Sequence, residues 1–419
     1  MATLSLGAPQ RTPRFICDAC RTNLRSLRRS AVDTYRTFGT ASSSNDKIPT
    51  RPIAPSPFRN RAYVRPLHIG NARGPFSGRQ YSMKTSLSAA GSGFAALPHR
   101  RLISLAGPDT AKFLQGLITN NVDPNRQSPF YAAFLDARGR VLWDVFVWVW
   151  PKLVEEKENW ACYVEVDESE LDSLKKHLKR HKLRSKVQIG DVSPNEIRVW
   201  AAWGSEVGQL RSGGLIAEMS DPRGPEMRRY LASADTPTVV EGAELMDVRE
   251  YHLQRYRNGI PEGPQEIPRE SALPMECNID LWHGIDFKKG CYVGQELTIR
   301  TKHTGIVRKR ILPVRIDSLG IPTTLPQYGT DIKQLDESGH IKKGRAAGKF
   351  IAGIGDVGLA LCRLENMTSM KISAEGGTWK PGVEFGCETN EGLVKVKPML
   401  YDWFVLREGE LWDKNRLRL

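Results

Sequence analysis

Near residue 305 the pattern of this chain changes. Before it, strand-like alternation and helical apolar spacing interleave; after Val307, short strand-like runs follow one another with glycines between them. "RKRILPVRI", "AGKFIAGIG", "GLALCRLE" and "VKVKPML" predict a compact β domain, β-rich and barrel-like, over 306–419. Upstream, "LISLAG" alternates as a strand. Gly107-Pro108-Asp109 then starts a helix with Asp109 as N-cap and Phe113, Leu114, Leu117 and Ile118 as its apolar face. "AAFLDARGRVLWDVFVWVW" predicts a hairpin turning at Asp136-Ala137-Arg138-Gly139. "WACYVEVD" is a strand, "ESELDSLKKHLKRHKL" an amphipathic helix with Leu171, Leu174 and Leu178 inward, and "KVQIGDV" a strand. "MDVREYHLQRYRNGIP" is a helix ended by Asn258-Gly259, with Pro261 just beyond. On this reading β-α-β units dominate the first half, and the fold class is α+β.

The net charge of +14 invites a nucleic-acid partner, but its distribution argues against one. Residues 1–98 hold 15 lysines and arginines against 3 acids; the remainder holds 46 against 44. A nearly neutral body carries no footprint for phosphates, so nucleic acid is not expected as a partner. Residues 1–93 contain no glutamate and are rich in Arg, Ser, Thr, Pro and Gly. That is the composition of a mitochondrial transit peptide and disordered leader. "RQYS" offers a cut after Tyr81, and "RTFGT", from Arg36, an earlier one. No apolar run is long enough for a membrane span; "VLWDVFVWVW" is short and carries Asp144.

Five cysteines lie beyond the leader: Cys162, Cys277, Cys291, Cys362 and Cys387. An odd, widely spaced set is no disulfide framework and fits a reducing compartment. The C-x-x-C at Cys17 and Cys20 stands alone in the leader and is not read as a site. "GIGDVG", with Gly353, Gly355 and Gly358, matches a dinucleotide fingerprint but lacks the following helix, so it reads as a hairpin turn. "VDESELD" reads as helix capping, and His177 and His181 as residues on a wet, lysine-rich face.

"KKGCYVGQE" is the chemically pointed stretch. A thiol at a helix N-terminus beside lysines is expected to favour the thiolate. Gly290 and Gly294 allow close backbone approach or positive φ. Gln295 and Glu296 fall in the first helical turn, where an acid is favourable.

"KGCYVGQE", Lys289 to Glu296, resembles the signature of the YgfZ family, relatives of the glycine-cleavage aminomethyltransferase (GcvT). "GPDTAKFLQGLITNNV" and "LDARGRVLWDV" resemble the family's opening motif and glycine hairpin. The run from Arg257 to Ile311 follows the family almost without a break. With the leader, the likeness is to the mitochondrial iron–sulfur members of that family. The resemblance implies a three-domain ring around a central folate-type cavity. The α+β region would span 94–305 as two subdomains, ahead of the barrel-like domain. It implies maturation of [4Fe-4S] proteins in the mitochondrial matrix, including aconitase-type enzymes and radical enzymes such as lipoyl synthase. It implies A-type scaffold proteins as partners.

In this resemblance Cys291 takes the place of the signature cysteine, as a reactive thiol or as a ligand of a transient iron–sulfur cluster shared with a partner. Lys289, Gly290, Tyr292, Gly294, Gln295 and Glu296 surround it. One thiol cannot fill the ligand positions of a cluster. The alternative is a folate-dependent one-carbon transferase using tetrahydrofolate, with Asn120, Asn121 and Asp144 lining the cavity. The aminomethyltransferases carry adjacent aspartates after the hairpin glycines, where this chain has Trp143-Asp144, which weighs against aminomethyl transfer.

Overall fold

A computed structural model describes residues 91–416 apart from 209–213, 237, 319–323 and 375. The leader readings, including the cuts near Tyr81 and Arg36 and the Cys17/Cys20 pair, lie outside the described residues.

The first half builds two five-stranded sheets. The chain enters the first sheet with β1 (Gly93–Ala96) and crosses at once to the second with β2 (Arg100–Ala106). The second sheet runs β3-β4-β5-β2-β6, using β3 (Phe130–Leu135), β4 (Val141–Trp148), β5 (Cys162–Asp167) and β6 (Gln188–Asp191). The chain then returns to the first sheet, β10-β1-β7-β9-β8, with β7 (Ile197–Trp203), β8 (Leu215–Ser220), β9 (Met227–Ser233) and β10 (Glu244–Leu245). Among the described strands only β1 and β10 pair in parallel; every other pair is antiparallel. The β-α-β expectation is corrected accordingly. The strands and helices alternate locally along the chain, but hairpins and returns set the pairing.

The helices are α1 (Thr110–Gln115), α2 (Pro151–Lys157), α3 (Leu171–Lys182), α4 (Val248–Arg257) and α5 (Gln295–Thr304), followed in the second half by α6 (Leu364–Met367) and α7 (Asp402–Arg416). α1 is shorter than its apolar spacing suggested, but Phe113, Leu114, Leu117 and Ile118 are all buried. Asp109 does not cap α1 with its side chain; its Oδ2 accepts the Lys186 N–H at 2.7 Å instead. Asp167 does cap, accepting the Ser169 N–H at 3.0 Å before α3. His177 is not on the wet face. It is buried, with its ring edge-on to Trp143 and Phe134.

The hairpin forms as expected. Asp136 and Arg140 close it, and the Asp136 carboxylate accepts the N–H groups of Arg138 and Arg140, each at 2.9 Å. Strand alternation on β4 turns Trp143 and Val145 toward α1 and α3. Asp144 and Phe146 turn to the opposite, buried face.

The second half is a closed six-stranded barrel, β11-β14-β13-β12-β15-β16. Its strands are β11 (Lys309–Ser318), β12 (Asp331–Gln334), β13 (Gly348–Ile354), β14 (Val357–Arg363), β15 (Phe385–Thr389) and β16 (Gly392–Pro398). β11 is long enough to pair with both β14 and β16, which closes the barrel and leaves no edge. The "GIGDVG" glycines form the β13–β14 hairpin, with Gly353 opposite Gly358 and Gly355 at φ +60°. From the barrel, α7 turns back to α5. Trp412 Nε1 donates to Asp280 Oδ2 at 2.9 Å, and Arg310 on β11 forks onto both oxygens of that carboxylate. Residues 280–304 are thereby held between the sheets, the barrel and α7.

Candidate functional site

Three stretches far apart in sequence meet at Cys291: Gly116–Val122 after α1, the β3–β4 hairpin tip, and 283–297. The turn after α1 is joined to β3 through Thr119, whose N–H donates to the Ala133 carbonyl at 2.9 Å and whose hydroxyl accepts the Ala133 N–H at 2.9 Å. That hydroxyl also donates to the Gly284 carbonyl at 2.6 Å, and the Asp286 N–H donates to the Thr119 carbonyl at 3.0 Å. The Val293 N–H donates to the Gly116 carbonyl at 3.1 Å. The segment carrying the cysteine is therefore stitched on both sides to the turn after α1.

Lys289 makes three further links. Its ammonium donates to the carbonyls of Gln115 at 2.9 Å, Ile118 at 2.5 Å and Asn120 at 2.8 Å, and stands 4.8 Å from the Tyr292 ring centroid. A helix end leaves carbonyls without partners, and a cation beside them is favourable. Burial pulls the Lys289 ammonium down to about 7, with Asp286 partly opposing. The sequence reading placed this charge beside the thiol; its hydrogen bonds direct it to the carbonyls after α1.

Cys291, expected at a helix N-terminus, lies in the turn ahead of the helix. α5 begins at Gln295, and its N-cap is Gly294 at φ +79°. The Gln295 side chain accepts the Tyr292 N–H at 3.3 Å, which closes the turn between cysteine and helix. Glu296 sits exposed in the first turn, as expected. Tyr292 is buried, and Cys291 and Gly290 beside it are exposed. A Cβ on Gly290 would meet nothing within 4 Å among the described residues, so packing against them does not require this glycine. Gly294 is required: its Cβ would lie 2.3 Å from the Asp136 carbonyl oxygen at the hairpin tip. Of the five cysteines among the described residues, Cys162, Cys277, Cys362 and Cys387 are buried and only Cys291 is exposed. Burial raises the Cys162, Cys277, Cys362 and Cys387 thiols well above their ordinary value.

The two asparagines lie near this loop but are internally bonded. Asn120 Nδ2 donates to the carbonyls of Tyr131 and His283, both at 2.8 Å, and its oxygen accepts the Asn121 N–H. Asn121 Oδ1 accepts from Gln115 Nε2 at 2.8 Å.

Asp144 belongs to a different place, a buried ionic network between the two sheets. Its Oδ1 accepts the Gly263 N–H at 3.0 Å, and its Oδ2 lies 3.7 Å from Arg100 Nη1. Burial raises the Asp144 carboxyl above its usual value, against the pull of Arg100. Around it, Arg100 donates to Glu165 at 2.8 Å, Arg223 forks onto Asp221, and Arg229 reaches Glu165, Asp221 and Glu262. Burial alone would raise the Glu262 carboxyl; Arg229, Arg100 and Arg223 hold it well below the carboxylate range. Arg100 Nη2, Arg223 Nη1, Tyr131 OH and Asp144 Oδ2 are buried with no hydrogen-bond partner. The pocket beside Asp144, lined by Trp143, Asp167 and Gly263 among others, has a volume of about 10 Å³. That suits a water, whereas a pteridine needs hundreds of cubic ångströms. The pocket beside Asp144 is too small for a pteridine, and the Asn120 and Asn121 side chains are engaged in internal bonds.

Sequence reasoning missed this network. Its members are arginines and carboxylates, residue types normally read as surface. The only local hints are Asp221 and Arg223 two apart, and Glu262 and Glu266 four apart after the Gly259 turn.

Comparisons with known proteins match the barrel, the fold and the family. The family model "CAF17, C-terminal beta-barrel domain" matches residues 308–404, the barrel seen here. The fold is similar to that of the glycine cleavage system aminomethyltransferase T from Bartonella henselae. The TM-score is 0.53, with 12% identity over 75% of this chain and 87% of that one. The "Iron-sulfur cluster assembly factor IBA57 homolog, mitochondrial" of Phaeosphaeria nodorum is 52% identical over 84% of this chain and 90% of its own length. The protein of the same name from Aspergillus fumigatus is 40% identical over 74% of this chain and 81% of its own. The chain belongs to the family of mitochondrial iron–sulfur cluster assembly factors.

Proposed function

We propose that this chain promotes the maturation of [4Fe-4S] proteins in the mitochondrial matrix by holding a cluster jointly with an A-type scaffold protein through Cys291. The observation that carries this is an exposed thiol on a loop fixed from both sides, with open space over Gly290 beside it. A fixed, exposed thiol suits a ligand offered to another molecule. Among the described residues no three His, Cys, Asp or Glu side chains stand together as a metal-ligand set. A cluster bound through Cys291 then takes its other ligands from a partner. The clients are aconitase-type enzymes and radical enzymes such as lipoyl synthase. No helix among the described residues is long and apolar enough to cross a membrane.

The one-carbon transferase alternative asks for a carboxylate open to a reactive nitrogen. Asp144 is 4% exposed and bonded to the Gly263 N–H. The assembly reading therefore has the better support.

Anaerobic reconstitution with iron and sulfide tests it. The chain is mixed with an A-type scaffold protein and followed by absorption and Mössbauer spectroscopy, with Cys291→Ser alongside. A cluster that forms with the native pair and fails with the variant is expected. An equal cluster with both would remove Cys291 from the ligand set.

A further inference from the structure

Leu183 ends α3 in a conformation that suits glycine, φ +45° and ψ −111°. The Ser185 N–H donates to the Lys182 carbonyl at 2.8 Å, so Leu183 is the second residue of a tight turn with the angles of type II′. Glycine is the usual residue both there and just past a helix end. The leucine side chain is 87% exposed, so no burial among the described residues offsets the strain.

Leu183 forms part of a cleft of about 660 Å³ lined also by Asp109, Lys112, Phe113, Arg184 and Ser185. The cleft is rigid. Asp109 Oδ2 holds the Lys186 N–H, and a Cβ on Gly107, at φ +124°, would lie 2.4 Å from the Lys186 carbonyl oxygen. Lys112, Arg184 and Lys186 are exposed around it, and Asp109 is the one acid among the lining residues. The floor is α1, whose far end carries the carbonyls held by Lys289 and Val293. A six-residue helix is about 9 Å long, so the cleft and the Cys291 loop are one short helix apart.

We propose that this cleft is the docking surface for the protein that shares the cluster at Cys291, and that the partner presents an apolar side chain set among carboxylates. The inference rests on the assembly reading and adds to it the partner's contact chemistry. The basic rim selects acidic groups, and the exposed Leu183 supplies the apolar contact. A concave cleft with a single protruding leucine suits a protein side chain. A bilayer is met by a broad apolar face, and nucleic acid has no use for the leucine.

The test measures the affinity of the full chain for a purified A-type scaffold protein by calorimetry at low and high salt. Leu183→Gly is expected to bind at least about tenfold more weakly while melting no lower than the native chain, because glycine relieves the turn. Lys112→Glu with Arg184→Glu is expected to weaken binding similarly and to flatten its salt dependence. Native affinity in Leu183→Gly overturns the proposal, as does failure of the native chain to bind the scaffold. So does scaffold binding that survives these substitutions while binding to phosphatidylserine vesicles or single-stranded RNA is lost. Cys291→Ser separates the two ideas. If it abolishes the shared cluster while Leu183→Gly changes nothing, the docking surface fails and the thiol reading stands. If it leaves the cluster intact while Leu183→Gly still weakens binding, the docking surface stands and the thiol reading fails.

Discussion

Gly139 and Gly294 close on one another. A Cβ on Gly139 would lie 3.0 Å from the Gly294 carbonyl oxygen, and one on Gly294 would lie 3.3 Å from the Gly139 Cα. Both have positive φ, +81° and +79°. The tip of the β3–β4 hairpin thus seats the turn that follows Cys291. Gly294→Ala meets both a left-handed backbone and a backbone oxygen at 2.3 Å. It should lose about 1–3 kcal/mol from the conformation alone, with more from the clash. Urea unfolding measures the loss, and faster alkylation of Cys291 would report the loosened loop. Gly290→Ala, with open space around it, should be close to neutral in the same unfolding assay.

Lys289 holds the cysteine loop to the end of α1, so Lys289→Met should leave three carbonyls without their donor. Removing a partner from a shielded polar group costs about 1–3 kcal/mol. Arginine should not restore the loss, because a planar guanidinium does not replace three convergent ammonium bonds. Chemical denaturation of the three proteins checks this.

These two positions mark what the sequence could and could not say. The hairpin, α3 and the barrel were legible because alternation, helical spacing and turn residues are local signals. The direction of the Lys289 side chain was not. Its carbonyl partner on Gln115 lies 174 positions away, and proximity in sequence pointed to the thiol instead. His177 was misplaced because its lysine neighbours made that side of α3 look wet, whereas Trp143 and Phe134 cover the ring. The buried arginines of the intersheet network were invisible for the same reason: nothing in a single sequence says which charges will find partners inside.

The buried His177 makes stability depend on pH. Burial, helped by His181 and Arg180, lowers its imidazole to about 4. The unfolded chain takes up a proton near pH 6.5, while the folded chain resists until about 4. Stability should therefore fall as pH drops through that window and be unaffected by this group above it. His252, lowered to about 4 mainly by burial and Arg255, adds to the same loss. His177→Phe should melt with a visibly smaller difference between pH 7.5 and pH 5 than the native chain, measured by circular dichroism.

Asp280 links three parts of the chain through Arg310 and Trp412. Asp280→Asn leaves the Arg310 guanidinium buried without its counter-charge, which costs about 3–5 kcal/mol. The loss should appear in chemical denaturation together with faster proteolytic removal of α7.

The central claim is that Cys291 does chemical work and does not hold the fold. Its most direct test replaces it with serine in mitochondria whose own assembly factor of this family has been removed. As an exposed position, it should change stability by less than about 0.5 kcal/mol. The activities of aconitase and of lipoyl-dependent enzymes should nonetheless fall to the level of cells with no factor. Normal activities with Cys291→Ser at native abundance would contradict the account.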